Sequence, residues 1–242
     1  MNGSWPWGLA GALVAGAALV GMARPSWIVR WVLAPLLPQV LFCGRGPRRR
    51  LAITIDDGPS GPGSEALLEL LEELNVPATL ILISDHLNKV NPDFVARALV
   101  AGHQIGNHMP ADQVSARLPR PAFRKQFAEA REALREAARP QPLNVRWFRP
   151  GGGWFHRRML AEVEAAGCRL ALGSIFPWDT FRPPLALLRW FVLQNTHPGG
   201  ILILHDRPDT CAATLATLRA VIPRLKERHY EFVTLDALGA DR

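Results

Sequence analysis

The chain has 242 residues, 48 % of them apolar, enough for one good-sized domain with a full core and a short appendage. Its formal charge of +7 comes almost entirely from arginine and favours anionic surroundings such as phospholipid headgroups or acidic wall polymers; no aromatic-basic interleaving or helix-turn-helix signature accompanies it, so nucleic acid is not an expected partner. Cys43, Cys168 and Cys211 are odd in number and lack C-x-x-C spacing, so neither a disulfide framework nor a thiolate zinc site is indicated.

The first predicted element is apolar. From Trp5 to Ala23 there is no charge, over nearly the length that spans a bilayer. A second apolar stretch, Trp27 to Phe42, is interrupted by Arg30, Pro35 and Pro38. Residues 1–8 hold no Lys or Arg, against a cleaved signal peptide, so residues 1–44 read as a membrane anchor of the bacterial inner-membrane kind, and the catalytic domain as 45–242. The alternative is a buried soluble helix. Arginines lie both between the two stretches and at Arg45 to Arg50, so the charge rule leaves the side of the membrane open.

After the arginines the chain alternates strand-like and helix-like segments, the pattern of an α/β protein with a parallel sheet. Strands are expected at 51–55, 78–83, 104–107, 145–149, 169–174, 200–204 and 231–235. Helices are expected from a cap-like Ser64 to a stop before Pro77, then over 92–101, 121–138, 156–167, 184–195 and 211–228. Periodicity leaves a parallel barrel and a doubly wound sheet both open. In either, ligands collect at the carboxyl ends of the strands.

The polar residues of interest stand at those ends. Leu51-Ala52-Ile53-Thr54-Ile55 runs straight into Asp56 and Asp57. Two adjacent carboxylates repel one another, and are usually kept where a cation, a proton or an Arg offsets the charge. An Asp-Gly-Pro turn, with Asp57 bonding its own backbone, is the plainer alternative. Further strand-end segments carry His108, Arg149, Asp179 and His205, which favours a site.

These segments resemble the polysaccharide deacetylases that share the NodB-homology domain, from about Arg48 to Leu238. The family's T-F-D-D-G-P stands here as Thr54-Ile55-Asp56-Asp57-Gly58-Pro59, and its G-H-E-I-G-N-H as Gly102-His103-Gln104-Ile105-Gly106-Asn107-His108. R-P-P-Y-G appears as Arg149-Pro150-Gly151-Gly152-Gly153, and a strand ending L-x-H-D as Ile203-Leu204-His205-Asp206. The resemblance implies a distorted (β/α) barrel of about seven parallel strands. It implies a divalent cation, zinc with cobalt or manganese as alternatives, held by Asp57 and His108; Asp112 stands where the family has a second His, four residues on. It implies Asp56 as general base oriented by Arg149, and His205 as general acid paired with Asp179. His103 reads as structural.

The chain also departs from the pattern. D-x-x-D-W is reduced to Phe176-Pro177-Trp178-Asp179-Thr180, and the usual Tyr of the third motif is Gly152, whose backbone N–H could still serve an oxyanion. Trp154, Trp178 or Phe176 would then supply a wall for sugar stacking. The expected activity is removal of N-acetyl groups from amino sugars in an oligosaccharide, polysaccharide or glycolipid. A hydrolase of the same fold acting on a small non-sugar amide, and a glycan-binding pseudoenzyme, are the alternatives.

Overall fold

The computed structural model describes residues 24–239, so the Trp5 to Ala23 stretch lies outside the described residues. Within them, eight parallel strands form one curled sheet: β1 (Val40–Leu41), β2 (Arg50–Asp56), β3 (Thr79–Leu82), β4 (Gln104–Asn107), β5 (Trp147–Phe148), β6 (Arg169–Ala171), β7 (Gly200–His205) and β8 (Glu231–Val233). The order is β1-β6-β5-β4-β3-β2-β7, with β8 joining the start of β2. Two contacts draw the ends of the curl together. Ile175, just past β6, bridges to Leu202 in β7, and the Gly44 N–H donates to the Gly199 carbonyl at 2.8 Å. Strands β2 to β8 match the seven expected from the sequence, β5 and β6 being shorter.

The helices are α1 (Pro25–Ile28) and α2 (Ala34–Leu36), joined by a π turn over Val29–Leu33, then α3 (Pro62–Glu73), α4 (Phe94–Val100), α5 (Arg120–Ala137), α6 (Arg157–Ala165), α7 (Leu185–Asn195), α8 (Cys211–Glu227) and α9 (Leu235–Gly239). Helix α3 starts two residues before Ser64, with Pro62 in its first turn. Ser64 is therefore no cap: its Oγ accepts from the Ser60 N–H at 2.6 Å and donates to the Asp206 carboxylate.

Alternation along β2 separates two layers of core. Leu51, Ile53 and Ile55 point outward into the main cluster under the helices, where each buried aliphatic side chain contributes about 1.5–3 kcal/mol. Ala52 points inward with Ile81, Trp147, Ala171 and Ile201, and Leu235 and Leu238 of α9 join that cluster. Thr54 and Asp56 continue the inward face to the carboxyl end, which delivers a carboxylate into the mouth of the barrel.

The second apolar stretch, expected in a membrane anchor ending at residue 44, belongs instead to this fold from Val40 onward. Val40 and Leu41 pair with Leu170 and Ala171, and Val40 to Cys43 are buried. Val29, Leu33, Ala34 and Leu37 pack against the cluster of Val40, Phe42, Phe148 and Leu170. The sheet needs a strand beside β6, and this stretch supplies it. Among the described residues, no helix is long and apolar enough to cross a membrane.

Candidate active site

Adjacent residues cannot face the same way on a strand, and the chain exploits this at the end of β2. Asp56 keeps strand geometry and points inward, whereas Asp57 turns into the left-handed region at φ 68°. Asp56 is buried and meets Arg149 just past β5, with Arg149 Nη1 to Asp56 Oδ1 at 2.5 Å. The same Nη1 reaches Thr54 Oγ1 at 2.7 Å, while Nε and Nη2 donate to the carbonyls of Ala171 (3.0 Å) and Leu172 (2.9 Å). Arg149 thus ties three strands to one carboxylate. Thr54, two residues before Asp56 on the same face, is a member of this network that the sequence reading passed over.

The Arg149 carbonyl has a second role. It accepts from His108 Nδ1 at 2.7 Å, which places the proton on Nδ1 and leaves Nε2 facing Asp57 Oδ1 at 3.0 Å. His108 reaches this point through Asn107, whose side chain accepts from the Met109 N–H at 2.7 Å and donates to the Phe127 carbonyl at 3.2 Å. Burial pushes the His108 pKa down, but the hydrogen bond with Asp57 and the charges of Asp56 and Asp57 outweigh it and raise the pKa overall. Burial likewise raises Asp57, and His108, His205 and Arg207 overturn that effect and hold it low.

His205 ends β7. Its Nδ1 lies 2.9 Å from Asp179 Oδ1, and its backbone N–H donates to Asp179 Oδ2 at 2.8 Å, so both carboxylate oxygens are committed to one residue. Burial lowers the His205 pKa; Asp179, aided by Asp56 and Asp57, overcomes it and lifts it to about 9. Asp206 backs the site. It accepts from Ser60 Oγ at 2.6 Å, its N–H donates to the Asp56 carbonyl at 2.8 Å, and its Oδ2 lies only 2.7 Å from where a Gly58 Cβ would stand. Only glycine fits there.

All nine expected site residues line one cavity of about 720 Å³. Asp57 and His108 come together, with Nε2 and Oδ1 3.0 Å apart. Asp112 stands on the wall of the same cavity, exposed, with its Oδ2 3.6 Å from Arg207 Nη1. The four-residue step from His108 would bring the two side chains together on a helix, but the intervening chain is a loop, with Met109 at φ 72° and Pro110 following. Among the described residues no three His, Cys, Asp or Glu side chains are grouped as a metal cluster. Arg207, unforeseen in the sequence, also stands 3.7 Å from Asp57 Oδ2. Only its position two residues past His205 could have flagged it.

Gly151 and Gly152 lie at the cavity wall, where a Cβ on Gly151 would meet the Gln113 carbonyl at 2.0 Å and Gly152 sits at φ 67°. Trp178 and Phe176 pack with ring centroids 4.9 Å apart, and Phe181 lies 6.2 Å from Trp178. All three line the cavity and are partly or largely exposed, whereas Trp154 is exposed away from it. His103 is structural, as expected: buried, with Nδ1 accepting from the Ala78 N–H at 3.1 Å.

Comparison with known proteins shows the family. The family model described as polysaccharide deacetylase matches residues 44–171, which contain Asp56, Asp57, His108 and Arg149. A chitooligosaccharide deacetylase of Rhizobium leguminosarum bv. trifolii is 32 % identical over 198 residues, covering 77 % of this chain and 90 % of its own. The crystal structure of the Bc1960 peptidoglycan N-acetylglucosamine deacetylase superposes with a TM-score of 0.77 at 26 % identity, over 84 % of this chain and 94 % of that one. A family 4 acetyl xylan esterase from Clostridium thermocellum, solved with a cobalt ion, superposes with a TM-score of 0.70 at 28 % identity, over 78 % and 89 %. The chain belongs to the polysaccharide deacetylase family, hydrolases acting on carbon–nitrogen bonds other than peptide bonds.

Proposed function

We propose that this protein removes the N-acetyl group of an amino sugar in a glycan, with Asp56 as general base and His205 as general acid. The observation that carries this reading is the different pairing of two groups in one cavity. Asp56 is paired with a permanently charged arginine, whereas His205 is held by an aspartate that favours its protonated form. Amide hydrolysis needs that division. Asp56 takes a proton from the attacking water as oxygen bonds to the acetyl carbon. The carbon–nitrogen bond then breaks, and His205 Nε2 gives its proton to the departing amine, leaving acetate and a free amino sugar.

Asp57 and His108 fit a divalent cation. With Nδ1 hydrogen-bonded to the Arg149 carbonyl, His108 turns Nε2 toward a carboxylate oxygen 3.0 Å away, and a cation that displaced the Nε2 proton would have both atoms as donors. An imidazole and a carboxylate suit zinc, cobalt or manganese, with Asp112 as a third oxygen donor from the cavity wall. When bound, the cation supplies Lewis acidity toward the acetyl carbonyl and water. The Gly152 N–H assists at the oxyanion, and Trp178 with Phe176 gives the sugar a stacking surface.

Relatives named for deacetylation of chitooligosaccharide and of peptidoglycan N-acetylglucosamine support the substrate class. The uncharged stretch Trp5 to Ala23 supports a membrane-bound placement of the chain. The test is acetate release from N-acetylglucosamine oligomers by protein loaded with zinc, cobalt or manganese. Release supports the reading; metal uptake without acetate would favour an amide hydrolase of other specificity, and neither would favour a binding protein.

A further inference from the structure

The catalytic groups share their cavity with apolar side chains. Among these are Val29 and Leu33 of the π turn, Phe42 beyond β1, and Leu172 beyond β6. None of these side chains can hydrogen-bond, so a bare oligosaccharide laid against them would lose water from its hydroxyls and gain no partner. A ligand that fills the whole cavity must offer a polar part to Asp57 and His108 and an apolar part to these side chains.

The segment that builds the wall, Pro25 to Phe42, precedes the residues matched by the family model. Its other face is apolar as well: Trp27, Trp31 and Leu36 are 71 %, 63 % and 71 % exposed, and the Arg30 guanidinium lies 5.1 Å from the Trp31 ring. Aromatic rings with an adjacent cation are the side chains that settle at a lipid–water boundary. The segment continues directly from the uncharged stretch Trp5 to Ala23. A helical segment apolar on both faces, one lining the reaction cavity and the other open to the surroundings, points to an apolar occupant that passes from one to the other.

We infer that the substrate is a glycolipid: an N-acetylated amino sugar whose long apolar chain lies on the Val29, Leu33, Phe42 and Leu172 wall while its amide reaches His108 and His205. The inference rests on the deacetylase reading and narrows its substrate class. The sugar end is then read by the stacking rings and the catalytic groups, and affinity is set largely by the chain.

The experiment is a binding series by calorimetry with the full-length protein and the methyl, octyl and dodecyl glycosides of N-acetylglucosamine, each below its micellar concentration, with acetate release measured in parallel. Apolar burial gives roughly threefold to fourfold per methylene on full transfer, so affinity should rise at least about tenfold from methyl to octyl and again to dodecyl. Leu33→Asn and, separately, Val29→Asn should flatten the series, whatever either does to the methyl glycoside. An equal affinity for all three compounds in the unmodified protein overturns the inference, and if acetate is still released the deacetylase reading survives it. A rising series without acetate keeps the apolar cleft and removes the deacetylase reading. Chain-length dependence that appears only after removal of residues 1–23 would place the chain's own N-terminal segment on the wall and also overturn the inference.

Discussion

Arg149 and Asp56 form an ion pair at 2.5 Å with both side chains almost wholly out of water, and the guanidinium spends its remaining donors on Thr54, Ala171 and Leu172. A lysine could supply the charge but not four directed bonds. Removing one partner of such a pair strands the other charge, so Arg149→Met should cost about 3–5 kcal/mol of stability, and Arg149→Lys should recover only part of it. Urea denaturation at neutral pH measures both.

With His205 as the proposed general acid, its pairing with Asp179 should set the alkaline edge of activity. An acid must be protonated to act, and Asp179 is the main influence holding the His205 pKa up at about 9 against burial. Asp179→Asn removes that charge, so the alkaline limb of the kcat/KM profile should move to lower pH, toward or below the ordinary histidine value of about 6.5. A variant that merely loosened the fold would lower activity at every pH without moving the limb.

His103 makes stability depend on pH for a reason unrelated to catalysis. Burial lowers its pKa to about 4, against about 6.5 in an unfolded chain. Between those values the unfolded state binds more protons, so this contribution is full above about pH 6.5 and is lost as pH falls through about 4. The loss approaches about 3 kcal/mol. His103→Gln should flatten the stability profile over that window, and thermal denaturation from neutral pH down to about 4 tests it.

Arg207 sits where it opposes a cation, 3.7 Å from Asp57 and 3.6 Å from Asp112. Replacing it with Gln should tighten zinc or cobalt binding, whereas Asp57→Ala should abolish it. If Asp112→Ala keeps full affinity, the third donor is not Asp112. Calorimetric titration of the metal-free proteins distinguishes these outcomes.

How much of this was legible in the sequence depended on whether a residue's setting is local. Asp56, Arg149 and His205 follow apolar runs that mark strands, and a strand end fixes where its last side chain points. The setting of Asp112 is less local, because a fixed spacing translates into a fixed distance only within a regular element and a left-handed Met109 intervenes. Val40 and Leu41 form a two-residue strand whose partners, Leu170 and Ala171, lie far along the chain, so local pattern showed only an apolar stretch broken by prolines. Arg207 and Thr54 gain their roles from distant neighbours, Asp57 and Arg149, that no local pattern reveals.

The most direct test of the account compares acetate release from N-acetylglucosamine oligomers by the unmodified protein and by Asp56→Asn at equal metal content. With Asp56 as the proposed base and Asp57 and His108 as the proposed holders of the cation, the variant should keep its metal while turnover falls by about 10²- to 10⁴-fold. Turnover undiminished in the variant, or absent from a fully metal-loaded unmodified protein, would contradict it.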